Sequence, residues 1–373
     1  MPASPSFSPG GERQASLDVY RGFVLLAFLS AGLGMARLHG APGWGWLADQ
    51  LQASGGEGCT FWDLIQPFFL FIAGIALPFS QARREGMGHS YARQFAHGLG
   101  RSGVLILLGW FLDAYAAGRF ELSHVGFTRC LQQIAVAYFF AFLLVPLGVK
   151  VQATAIVFLL AGHTAAYVIY GNIIEAPAWD ATRNFGAFLD ARLGLPAGPH
   201  QEATFNAVSG AAVVLLGVLC GALLRGPVAP GRKVAFLFGA GLVLLGAGWA
   251  LSGGGGWLPV SFRTAVPMIP RLATSSFSLF AAGWGFALMG LFYLLIDVMM
   301  VRFWTLPFIV LGMNSIFLYV ASELLRPVAH RSVAIFLDHA DAGYRPVLVS
   351  VADLGLFWLM AYGLYVKKAF VKV

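Results

Sequence analysis

Charged side chains are the scarcest feature of this sequence. Asp, Glu, Lys and Arg make up 11% of its 373 residues, against about 25% in an ordinary soluble domain. With 58% hydrophobic residues and a mean hydropathy of +0.74, no water-soluble globule can hide the apolar surface. Lipid or neighbouring helices must be the solvent for most side chains. Cysteine is nearly absent, and Cys59, Cys130 and Cys220 lack metal-ligand spacing, so no metal is expected. Cys59 and Cys130 fall near one expected membrane face, where a disulfide is allowed but not required by the spacing. Cys220 reads as lipid-facing or as packing filler. Motifs of soluble enzymes are missing: there is no H-E-x-x-H, no Walker loop and no G-x-S-x-G. The glycine run Gly253–Gly256, beside Trp257, reads as a flexible outer turn. The net charge of +7 is scattered between apolar runs, which marks topology and excludes a nucleic-acid partner.

Long apolar runs are what the sequence has in abundance. Runs of roughly 18–22 residues, each able to cross a hydrocarbon core of about 30 Å, lie near 18–36, 62–81, 99–117, 128–148, 151–170, 205–224, 234–251, 275–297, 303–322 and 346–366. The expected fold is all-α: one transmembrane domain over 1–373, with about ten helices around a polar cavity and a short tail at 1–14. The first run holds Asp18 and Arg21 and is followed by many more, so it reads as a retained helix rather than a signal peptide. Placing both termini in the cytoplasm puts 14 of the 24 basic residues, including all five lysines, on the inner side. Outer segments near 37–61, 171–204 and 323–345 are long and rich in Gly, Pro and Trp, whereas the inner connections are short except 82–98. Chemistry on a polar substrate is therefore expected at the outer face. Lipid is the expected surrounding, and a bacterial inner membrane the expected location.

Polar residues inside a span need a partner or a wet cavity. Asp18 and Arg21 in "SLDVYRG" share a helix face and can pair; alternatively Arg21 meets an anionic ligand. Asp63 and Gln66 in "GCTFWDLIQPFFLFIAG" stand at the outer start of the second run, where Asp63 can serve as a plain helix-start carboxylate. Pro67 can kink that helix and free a carbonyl. Gln132 and Gln133 in the fourth run, and Asn314 and Ser315 in the ninth, are each explained singly as helix–helix glue, yet together they describe a polar interior. Of eight histidines, His89 and His97 read as solvated and His163 as packed. His39 and His124, near the outer surface, are the two suited to acid–base work.

At "SLDVYRG", "GCTFWDLIQPFFLFIAGIALPFS", "CLQQIAVAY" and "LGMNSIFLYV", and also over "FNAVSGAAVVLLGVLCGALLR" and "SSFSLFAAGWGFALMGLFYLLID", the chain resembles the heparan-α-glucosaminide N-acetyltransferase family and its bacterial relatives. The motifs keep the same order over most of the chain. The resemblance implies transfer of an acetyl group from cytoplasmic acetyl-CoA, as co-substrate, to an amino group of a glucosamine-type glycan across the membrane. It also implies a homodimer. Arg21 or Arg101 would hold CoA phosphates, and Asp18, Gln132 and Asn314 would line the substrate cavity. Two positions depart from the family pattern. Ala53 in "ASGGEG" stands where the family has its catalytic histidine, with Gly56 in place of a tryptophan, and Gly32 stands where an asparagine is common. The missing function would fall to His39, to His124, or to Asp63 as general base for direct transfer from CoA; alternatively the chemistry has been lost. An aspartate base would need burial to raise its affinity for protons. Two rival classes are a transporter or flippase, for which Pro67 and Pro307 leave room, and a binding protein descended from an enzyme.

Overall fold

A computed structural model describes residues 14–38, 43–118, 126–196, 202–254, 266–339 and 344–370. Among these the protein is all-helical, 78% helix with no strand. Thirteen α-helices follow one another: α1 (Ala15–Leu29), α2 (Gly45–Gln50), α3 (Ile65–Gly86), α4 (Tyr91–Ala117), α5 (Cys130–Leu144), α6 (Gly148–Ile173), α7 (Phe185–Leu193), α8 (Asn206–Arg225), α9 (Pro230–Leu251), α10 (Ser275–Phe292), α11 (Leu306–Gly312), α12 (Ser315–Phe336) and α13 (Arg345–Val366). By length and composition seven described helices can cross a membrane, or eight when the bent pair α11–α12 is counted as one span. The protein is thus a multi-pass membrane bundle.

Seven or eight candidates by length and composition is fewer than the ten runs read from the sequence; the two counts part at three places. The first run is cut short at Leu29, because Ala31, Gly32, Leu33 and Gly34 all take left-handed backbone angles, φ between 47° and 68°. Such a turn costs about 1–2 kcal/mol per non-glycine residue, and it lets Gly32 lie against Leu51, where a Cβ would meet the carbonyl oxygen at 2.4 Å. The fourth and fifth runs form one continuous stretch of 44 residues that doubles back at Gly148 (φ 81°, ψ 166°). Gln133 Nε2 donates to the Ala203 carbonyl at 3.2 Å, while His163, thirty residues further on, stacks on Phe205 at 5.2 Å. Both ends of the stretch therefore meet the same segment. The ninth run breaks between α11 and α12 with a bend of 81°.

The loops are more structured than expected. The connection placed at 82–98 is largely helix, since α3 runs to Gly86 and α4 starts at Tyr91, its first turn capped by Ser90. The segment 171–204 contains α7, capped by Asn184, under an aromatic cluster in which Tyr167 stacks on Trp179 and meets Phe185. The segment 323–345 is half consumed by α12. All three cysteines are free, and Cys220 is fully buried rather than lipid-facing.

Small residues set the packing of the centre. A Cβ on Gly74 would lie 2.0 Å from the Val214 carbonyl oxygen, and one on Gly217 would lie 2.2 Å from that of Phe71, so α3 and α8 run backbone to backbone. Lipid offers helices no hydrophobic reason to associate, and close van der Waals approach is what remains. α1 crosses α11 in the same way at Gly22, where a Cβ would meet the Phe308 carbonyl oxygen at 1.8 Å. Substituting Gly217→Val should force the helices apart and lower the melting temperature in detergent by several degrees, at a cost of about 1–3 kcal/mol or more. Gly100→Ala, where nothing lies within 4 Å of the added carbon, should leave it unchanged.

Candidate functional site

One polar cluster in the bundle is built on Arg129, the residue that precedes α5. Its Nε donates to Asp113 of α4, and its Nη1 donates to Glu323 of α12 at 2.8 Å. Gln132 completes the cluster: its Nε2 donates to Asp113 at 2.8 Å, and its Oε1 accepts the Arg129 backbone N–H at 2.9 Å. Gly109 opposite lets the glutamine in. A guanidinium at this depth is tolerable only when its donors meet charged acceptors.

Beside this cluster lies a cavity of about 560 Å³. Its walls combine aromatic faces (Phe28, Trp62, Phe277) with Asp63, Gln66, Gln133, Asn206 and Arg271. The loop over it is held by Asp63. One carboxylate oxygen accepts the backbone N–H groups of Thr60 at 3.0 Å and Ser54 at 3.2 Å. The Thr60 hydroxyl lies 3.0 Å from the same oxygen and 2.7 Å from the Gln52 carbonyl, to which its one proton can go instead. Among the described residues the other carboxylate oxygen accepts only the Ser54 N–H, at 3.4 Å, and so keeps acceptor capacity. Gly58 N–H, donating to the Met268 carbonyl at 2.8 Å, ties the loop to the segment before α10.

Two polar groups in the wall remain unsatisfied. Asn206 donates through Nδ2 to the Arg271 carbonyl at 2.8 Å, and among the described residues its buried Oδ1 and the buried Nε of Arg271 have no partner. Unpaired polar atoms inside a bundle cost free energy unless a ligand or water meets them.

The expected site residues are dispersed. Asp63 is on the cavity, and Ala53 lines its mouth. Gln132 faces the Arg129 cluster; its neighbour Gln133 lines the cavity instead. Asn314 is buried at the α11–α12 break, with Nδ2 donating to the Ala369 carbonyl at 3.1 Å. Asp18 and Arg21 pair at 3.7 Å, as their spacing suggests. Arg101 lies over the Tyr138 ring, 4.7 Å from its centroid, a cation–π arrangement, and its buried Nε has no hydrogen bond among the described residues. None of Asp18, Arg21, Arg101, Gln132 and Asn314 lines the cavity. His39 and His124 lie outside the described residues. His163 is fully buried between Phe205 and Tyr167, as its place in an apolar run implies. Arg271, Asn206 and Glu202 were not singled out from the sequence. Arg271 follows Pro270 at the head of an apolar run, and that pairing is the signal that was available.

No family model matches the chain, and no curated protein matches it.

Burial, and second the Asp63 carboxylate, push the half-buried Cys59 thiol up to about 12. At pH 8 the thiol is then almost wholly protonated and a poor nucleophile. Asp63→Asn removes the negative neighbour and loosens the loop. Alkylation of Cys59 by iodoacetamide at pH 8 should accelerate several-fold, read by peptide mass spectrometry. An unchanged rate would show that Asp63 does not hold this loop.

Proposed function

We propose that this protein is a membrane acyltransferase that moves an acetyl group from acetyl-CoA to an amino or hydroxyl group of a sugar held in the Asp63 cavity. The observation that carries this reading is the cavity itself. It offers aromatic faces for a pyranose ring, amides for hydroxyl groups, an arginine, and a carboxylate oxygen with free acceptor capacity. The resemblance read from the ordered motifs gives independent support for the reaction class.

With Ala53 in the wall, no histidine is supplied from that position, and direct transfer is the simplest course. The acceptor nitrogen or oxygen attacks the thioester carbonyl carbon. Its proton passes to Asp63, the new C–N or C–O bond forms as the C–S bond breaks, and the proton ends on the CoA thiolate. Asp63 thus acts as general base while its other oxygen keeps the loop closed. Arg21 and Arg101 are the proposed contacts for CoA phosphates. About ten passes, both termini in the cytoplasm, a bacterial inner membrane and a homodimer complete the proposal.

A second reading, substrate transport, is favoured by one observation: the 81° break between α11 and α12. Broken spans at mid-membrane are a recurring device of transporters.

The test uses the full chain in lipid nanodiscs with radiolabelled acetyl-CoA and glucosamine. The acyltransferase reading expects an acetylated sugar, and a rate reduced about 100-fold or more in Asp63→Asn. Absence of product, together with no acetyl-CoA binding at millimolar concentration, would overturn it. Sugar uptake into proteoliposomes without acetylation would favour transport.

A further inference from the structure

The turn that joins α3 to α4 gathers more positive charge than its surroundings answer. Arg83 and Arg84 lie in the last turn of α3, and Arg93 lies in the first turn of α4. His89 and His97 join them, their rings stacked with centroids 6.2 Å apart and 15° between planes. The one acid between positions 83 and 97 is Glu85. It accepts a hydrogen bond from Gln81 at 2.9 Å and forms no ion pair with a described residue.

Neighbouring elements do not restore the balance. α5 packs along α4 with Phe139 against Phe95 and Phe142 against Gly98, and it carries no charged residue. From α8 comes a further cation, Arg225, which donates to the Pro78 carbonyl at 3.4 Å. The turn itself is built firmly. Gly88 takes φ 71°, the Ser90 hydroxyl accepts the Arg93 N–H at 3.4 Å, and Gln94 Nε2 donates to the His89 carbonyl at 3.2 Å. His89 lies outside both candidate spans. Burial first, and then Arg93, His97 and Arg84, hold its ring below the ordinary histidine pKa. Its Nδ1 has no hydrogen-bond partner among the described residues. These histidines are therefore part of a cationic cluster rather than simply solvated side chains.

A second feature continues from the first. Arg93, His97, Gly100, Val104 and Leu107 recur at the three- and four-residue spacing of one helix face, and all five are exposed. A Cβ on Gly100 would meet nothing within 4 Å. Cations thus stand at the end of α4, and an apolar strip notched at Gly100 runs from them along the helix. An anionic phospholipid presents the same two parts in the same order, a phosphate and then an acyl chain.

We propose that this face of α4 binds an anionic phospholipid. Its phosphate sits among Arg84, Arg93 and the two histidines, where guanidinium forks take phosphate oxygens. One acyl chain lies along Gly100, Val104 and Leu107. A zwitterionic lipid brings its own cation to this cluster and is disfavoured there, while a soluble phosphate makes no use of the strip. The site lies beyond the acyl-transfer reading and does not depend on it.

The experiment is an NMR titration of His89 in the full chain, with isotope-labelled histidine rings, in lipid nanodiscs; the signal is assigned through His89→Gln. In phosphatidylcholine discs His89 should titrate below the ordinary histidine value. Discs containing phosphatidylglycerol should raise that midpoint by about 1 pH unit or more, because an anion beside the ring favours its protonated form. Gly100→Trp fills the strip and leaves every charge in place, so it separates this site from the general surface charge of the disc. There the rise should shrink by more than half. Arg93→Gln, at an exposed position, should increase the phosphatidylglycerol fraction needed for half the rise about fivefold. No rise in phosphatidylglycerol discs, an equal rise in Gly100→Trp, or an equal rise on adding glycerol phosphate to phosphatidylcholine discs would overturn the proposal.

Discussion

The organisation of this bundle turns on one buried guanidinium. Arg129 sits between Asp113 and Glu323 and so fastens the head of α5 to α4 and α12 at a single point. In an apolar medium a charge pair of this kind adds little net stability. Removing one partner is what costs, because the other is left charged and unmet. The pairing therefore acts as a registration device: three helices must reach the same depth for it to form. It also divides the polar interior. Cys130 next to it lines the Asp63 cavity, and Glu323 lines a second, of about 510 Å³, where His330 lies 2.8 Å from Asp353.

Around that point the protein uses two different means of holding polar and apolar groups. Backbone-to-backbone contact through Gly74, Gly217 and Gly22 closes the apolar centre. At the helix ends cationic side chains satisfy terminal carbonyls: Lys233 donates to Leu224 and Arg302 to Ile296, a placement the helix dipole favours. The sparse charge noted in the sequence is thus spent largely on helix termini and on the two cavities. Lipid faces are left to side chains such as Phe158 and Leu242, which are exposed.

The fold class was legible because hydropathy alone dictates it: apolar runs of membrane length have no other use. Pairing of Asp18 with Arg21 and packing of His163 were legible too, since helical spacing and an apolar neighbourhood suffice to infer them. What was not legible depends on long-range geometry. Gln132 and Gln133 are adjacent and chemically identical, and only the direction of the α5 turn sends one to Asp113 and the other to the cavity. The left-handed run Ala31–Gly34 contains two non-glycine residues in a conformation that no local propensity favours; tight packing on Leu51 and Pro346 selects it. His330 and Asp353 stand 23 residues apart; the run at 346–366 matches α13, but the ninth run stopped short of the end of α12 and left His330 in an expected loop, so their meeting left no trace in any motif. Asp63 reads from sequence as a helix-start carboxylate or a base, and long-range geometry adds what the sequence does not show, a loop held by one oxygen through the Thr60 and Ser54 N–H groups.

We propose that one polar cavity, roofed by the loop that Asp63 holds, receives a sugar, and from one side of the membrane only. Cysteine accessibility at its mouth tests this most directly. Ala53→Cys would be introduced into a chain whose own three cysteines are replaced, and labelled with a membrane-impermeant maleimide in right-side-out and inverted vesicles. The account predicts labelling from a single side, slowed by glucosamine and unaffected by sucrose. Labelling from both sides, or from neither, would contradict it.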